Sequence, residues 1–146
     1  MILQVIYAFI VSLGFGILFN VRNKNLFFAA LGGAIGWFCY SITLNLYSSE
    51  MLAIFLASIS ISIYAEIFSR VLKNPVTLFL ICSLIPLVPG SGMYYTTFET
   101  VKGNYELSLI KGLDTLSYAG SIAVAVILTS TVANLLTNIF SKKRTY

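Results

Sequence analysis

Leu84-Ile85-Pro86-Leu87-Val88-Pro89-Gly90-Ser91-Gly92-Met93-Tyr94-Tyr95 decides how this chain is read, because it lies inside an apolar run and not between two. Pro86 and Pro89 lack the N–H that an α-helix needs, and Gly90 and Gly92 lose the most backbone entropy by staying helical. The stretch therefore predicts a break in a membrane helix. In hydrocarbon, peptide groups released from the helix ladder cost several kcal/mol each unless protein or trapped water pairs with them. Non-helical backbone at that depth marks a buried or wet cavity, and broken helices are sequence-level pointers to solute sites. The plainer alternative is a proline kink repaired by neighbouring helices. On the first reading the candidate solute-binding residues are Pro86, Pro89, Gly90, Ser91, Gly92, Tyr94 and Tyr95.

Composition sets the frame around this break. Of the 146 residues, 58% are hydrophobic and 10% charged, and the mean hydropathy is +0.91. Soluble domains do not have this composition, so the chain reads as an all-α integral membrane protein in the cell (plasma or inner) membrane. A spanning helix takes roughly 20 apolar residues, so the whole length is used up by one transmembrane domain. The net charge of +4 does not imply nucleic acid, since the basic residues flank apolar runs as topology signals do. With no histidine and two unpaired cysteines, Cys39 and Cys82, neither a metal site nor a cysteine nucleophile is expected, and no cofactor. An enzyme is excluded on the same ground: no nucleophile stands with a base. The opening residues carry no basic segment and no small-residue cleavage site, so they read as a first transmembrane helix and not as a signal peptide.

Taken in order, the runs predict five spans: 2–19, 26–46, 51–69, 76–98 broken near 86–92, and 112–140. Gly32, Gly33 and Gly36 in the second span give a small-residue face that admits another backbone closely. Gly33, Trp37, Ser41 and Asn45 recur every four residues on that helix, as packing contacts or a pore lining. In the third span Ser58, Ser62, Glu66 and Arg70 share one face. An acid within the membrane is costly and often belongs to a proton path, although Glu66 and Arg70 at i, i+4 could simply pair. Pro75 suits the first turn of the fourth span. If Ser91 or Gly92 caps the restart after the break, free N–H groups and the positive helix end there suit a carboxylate. Residues Glu99 to Lys111 read as an exposed connection with a short surface helix. Asp114 follows in the first turn of the fifth span, as a second proton-coupling candidate after Glu66 or as a complement to the helix dipole.

With five spans, Arg22, Lys24, Arg70, Lys73, Lys142, Lys143 and Arg144 fall on one side and Lys102 and Lys111 on the other. That asymmetry places the N-terminus outside and the C-terminus in the cytoplasm. An odd number of spans also allows a related unit, inserted the other way, to pair with this one as an inverted repeat.

Residues Pro86 to Tyr95, followed by a polar connection and a glycine-containing last helix, resemble the smaller half of the threonine/serine exporter family, and the likeness covers nearly the whole chain. In that family the small unit is fused behind a larger half or stands beside it as a separate protein. The chain resembles the separate form, since it shows no trace of the larger half's cytoplasmic region. The resemblance implies export of threonine/serine-type amino acids, or of dicarboxylates such as succinate in two-component relatives, driven by an ion gradient. It also implies a larger membrane subunit as partner. Self-association is left open, and so are two other readings: a structural subunit that stabilises a transporting partner, and a self-assembled channel.

Overall fold

The computed structural model describes residues 1–142, with side chains as far as Thr137. Lys143 and Arg144, which enter the orientation argument, lie outside the described residues. Six helices follow one another: α1 (Ile2–Leu18), α2 (Lys24–Tyr47), α3 (Glu50–Leu72), α4 (Val76–Leu84), α5 (Gly90–Val101) and α6 (Tyr105–Lys142), with a 3-10 turn at Ile85–Leu87 between α4 and α5. Three of them, α2, α3 and α6, are long and apolar enough to cross a membrane. Segments Val76–Leu87 and Gly90–Val101, bent by 53° to each other, make a fourth if they are one span. Helix α1, at 17 residues, is shorter than these, about 26 Å long.

Helix α2 is the centre of the bundle, and its small residues put it there. A Cβ on Gly33 would collide with Ser12 of α1, one on Gly32 with Ser83 of α4, and one on Gly36 with Ile61 of α3. Three neighbours thus approach one backbone through three different gaps. Hydrogen bonds from side chain to main chain then fix the register: Tyr64 Oη donates to the Phe28 carbonyl at 2.8 Å and Ser83 Oγ to the Ala29 carbonyl at 2.9 Å. Buried Ala29, Ala65, Phe79 and Cys82 fill the space between α2, α3 and α4. Where lipid offers no hydrophobic drive between helices, close packing and such bonds are what hold them together.

Helices α5 and α6 form a hairpin, and here the structure corrects the sequence reading. Residues Glu99 to Lys111 are largely exposed, with Ser108 buried, but they form no separate surface helix. Helix α5 continues to Val101, Lys102–Asn104 make the turn with Gly103 at φ +83°, and α6 starts at Tyr105 instead of near Gly112. The polarity that reads as solvent exposure is used across the hairpin. Ser108 Oγ lies 2.6 Å from Thr100 Oγ1 and donates to the Thr96 carbonyl at 2.9 Å, and Asn104 Nδ2 donates to Glu99 Oε2 at 2.8 Å.

The start of α3 meets α6 only partway along it. Tyr118 Oη donates to Glu50 Oε2 at 2.6 Å, and Ser121 Oγ to the Met51 carbonyl at 3.3 Å. From there α3 and α6 run side by side in the same direction, with Ile59, Ile63 and Ile67 facing Leu128, Val132 and Leu136. Residues 105–117 of α6 precede that contact, so with α5 they carry the hairpin roughly 20 Å past it. No residue of α5 is buried.

The packing of α2 generates a direct test. Gly33→Val and Gly36→Val should each lower stability by about 1–3 kcal/mol, the usual cost of overfilling a close contact. Gly14→Val should be near neutral, since nothing lies within 4 Å of a Cβ there. Membrane abundance and thermal aggregation in detergent measure this, and equal behaviour of all three variants would contradict it.

Candidate solute site at the helix break

The backbone of the break follows from its two prolines. Val88, which precedes Pro89, is forced to extended dihedrals, φ −62° and ψ 129°. Pro89 itself sits at φ −76° and ψ 58°, the conformation of an inverse γ-turn. The Gly90 N–H accordingly donates to the Val88 carbonyl at 2.7 Å, and the Met93 N–H donates to the Pro89 carbonyl at 3.2 Å. Between them, the N–H groups of Ser91 and Gly92 have no partner among the described residues. The N-cap is Pro89, whose side chain cannot cap, and the first turn of α5 holds no acid. The positive end of α5 is therefore uncovered.

The break also lies half-way along the helices that surround it. Leu87 packs with Ala57 and Ile61 near the middle of α3. Ile85 and Pro86 border a cleft with Ala8 and Val11 of α1 and Trp37 of α2. Beyond Pro86 the chain opens on a cavity of about 440 Å³ that runs from Trp37 and Tyr40 to Glu50 at the start of α3. Pro86, Pro89, Ser91, Gly92 and Tyr95 line it, and α6 closes it with Lys111, Asp114, Thr115 and Tyr118. Those four α6 residues stand at i, i+3, i+4 and i+7, one face of a helix. Gly92 lets α5 meet α6 here, since a Cβ on it would strike Thr115.

Not every residue singled out from the sequence reaches this cavity. Gly90 has open space around it and forms the turn instead of the wall. Tyr94 stands on another side of α5, edge-on to Tyr95 and stacked on Phe98 with centroids 5.8 Å apart. Asp114 is at the cavity, but Glu66 is not. Glu66 lies in the apolar groove between α3 and α6, where Arg70 Nη2 is 3.3 Å from its Oε2. Ser58 and Ser62, on the same face of α3, are buried.

Glu50 and Tyr118 are among the cavity residues that the sequence reading passed over, with Tyr40 and Thr115. Glu50 stands at a helix start, after Ser49, whose hydroxyl accepts from the Leu52 N–H at 3.5 Å. That position reads as a cap and a loop. Tyr118 is one helical turn beyond Asp114, a spacing that would have placed it on the same face. Among the described residues, no group of three or more His, Cys, Asp and Glu side chains could hold a metal ion.

A cavity at the bend between α4 and α5, walled by hydroxyls and charges of both signs, is suited to a small polar solute. The sequence profile described as "Threonine/Serine exporter, ThrE" matches residues 4–132. The chain belongs to the threonine/serine exporter family. It is thus a multi-pass membrane protein of a transporter family, and the matched segment contains α2 to α5, the break and the charged face of α6. No solved structure matches it.

If this family member's cavity is wet, Ser91→Cys in a Cys39→Ala, Cys82→Ala background should react with a hydrophilic thiol reagent. Ser83→Cys should not, because Ser83 is fully buried. Mass spectrometry of the labelled chain reports both, and an unreactive Ser91→Cys would argue against a wet cavity.

Proposed function

We propose that this chain is one subunit of a secondary exporter for small polar metabolites, either threonine/serine-type amino acids or dicarboxylates such as succinate. A larger membrane subunit of the same family completes the solute path. The observation that carries this reading is the cavity at the break, which Ser91 and Gly92, with their unpartnered main-chain N–H groups, line together with charged side chains. On this reading α1 spans as well, and the bent pair α4–α5 is one broken span, giving five crossings with the N-terminus outside and the C-terminus in the cytoplasm. The basic residues at the ends of α1, α2 and α3 support that orientation.

What supports a partner is the surface left uncovered. Helix α5 buries nothing within the chain. Only 11% of the most apolar window of α6 is buried, against 39% in α2 and in α3. Met93, Tyr94, Phe98, Leu109 and Leu113 are exposed on the projecting hairpin, an apolar surface for lipid or a partner helix to cover. The glycine face of α2 lends no support to the alternative of a purely stabilising subunit, because α1, α3 and α4 already occupy it.

For coupling, Asp114 is the better-placed acid. It lines the cavity, whereas Glu66 is held by Arg70 in a separate groove. Asp114→Asn should remove the dependence of efflux on the proton gradient, and Glu66→Gln should preserve it. Efflux with and without a protonophore measures both, and the opposite pattern would exchange their roles. Pro89→Ala with Gly90→Ala should rebuild a continuous helix and reduce export to background while the chain still inserts. Normal metabolite efflux from cells carrying that double variant would refute the site.

A further inference from the structure

The cavity has two electrical poles, and one of them depends on a residue outside the candidate set. Lys111, Asp114 and Glu50 all line it. Yet the ion pair found among the described residues is Glu66 with Arg70, in the other groove. Lys111 thus makes no direct ion pair with Glu50 or Asp114. At one pole stand the Ser91 and Gly92 N–H groups, with no acid in the first turn of α5 to neutralise them. At the other stands the Glu50 carboxylate, whose Oε2 accepts from Tyr118 Oη at 2.6 Å. Tyr118 is neutral, so it orients the carboxylate without cancelling its charge. Oε1 of Glu50 has no hydrogen-bond partner among the described residues. Trp37, on the same cavity wall, adds a buried indole N–H with no acceptor, a donor that a water or a solute oxygen would satisfy.

We infer that Glu50, held by Tyr118, is a specificity-determining residue that receives the ammonium group of a zwitterionic solute whose carboxylate lies at the start of α5. The inference rests on the solute-site reading above and deepens it. A zwitterion meets both poles with opposite charge. A dicarboxylate of similar length satisfies the α5 pole but turns its second carboxylate toward Glu50, where like charges repel. Glu50 therefore works as much by exclusion as by attraction. Asp114 keeps a separate role in coupling, since it stands on α6 next to Thr115, which abuts the α5 terminus.

The test uses cells that carry the full chain with its native partner, preloaded with labelled L-threonine or labelled succinate. Efflux of each is compared in the wild type, Glu50→Gln, Glu50→Asp and the Pro89→Ala, Gly90→Ala variant, at matched membrane abundance. Glu50→Gln keeps an acceptor for Tyr118 and removes only the charge. It should lower threonine efflux about tenfold or more, as loss of a charged hydrogen bond does, while succinate efflux holds or rises. Glu50→Asp should retain most of the wild-type ratio. A Glu50→Gln chain in which both solutes fall equally, or neither changes, overturns the inference, as does a wild-type pair that exports succinate and no threonine. If the break variant exports normally, the solute-site reading itself fails. If that variant is inactive and the Glu50→Gln ratio is unchanged, only the role of Glu50 is lost.

Discussion

A peptide group without a hydrogen bond is tolerated in a membrane protein only where something polar can reach it, and the rest of this fold is arranged around one such place. Pro86 and Pro89 remove two donors, and Val88 and Pro89 are turned out of helical geometry. The N–H groups of Ser91 and Gly92 are left open as a result. They lie at a cavity that Trp37, Tyr40, Glu50 and the polar face of α6 also line. The polar side chains at this site answer a backbone that cannot satisfy itself.

Two mechanical parts follow from the packing. Helices α1 to α4 make a block in which α2 is held by contact through its glycines and by hydrogen bonds to its carbonyls. Helices α5 and α6 make a hairpin zipped by Thr96, Thr100 and Ser108. The two parts are joined covalently through Val88–Pro89 and by hydrogen bonds between α6 and the start of α3. The cavity lies between those two joints.

Much of this was legible in the residues, and the parts that were not have physical reasons. Pro86, Pro89, Gly90 and Gly92 announced the break because proline and glycine act locally, through dihedrals and a missing donor. Helix α6 began earlier than expected because Thr100, Asn104 and Ser108 read as loop residues when taken singly. Thr100 and Ser108 are helical and bond across the hairpin, Ser108 to Thr96 and Thr100, while Asn104 stays in the turn and bonds to Glu99. Glu50 escaped notice for a similar reason: its meaning comes from Tyr118, 68 positions away, and no periodicity links residues at that distance. Glu66 stood out from the sequence as an acid within an apolar run, and in the structure it pairs with Arg70 at i+4. Asp114, which lines the cavity along with Glu50, reads from the sequence either as a second coupling candidate or as a complement to the helix start.

The central claim is that the main chain between Pro89 and Met93 faces a wet, solute-occupied cavity. Hydrogen–deuterium exchange of the full chain in native membrane vesicles tests it most directly. The account predicts that the amides of Ser91 and Gly92 exchange rapidly while those of Gly33 to Ser41 in α2 stay protected, and that adding the exported solute slows exchange at 91 and 92. Protection of Ser91 and Gly92 equal to that of α2 in the absence of solute would contradict it.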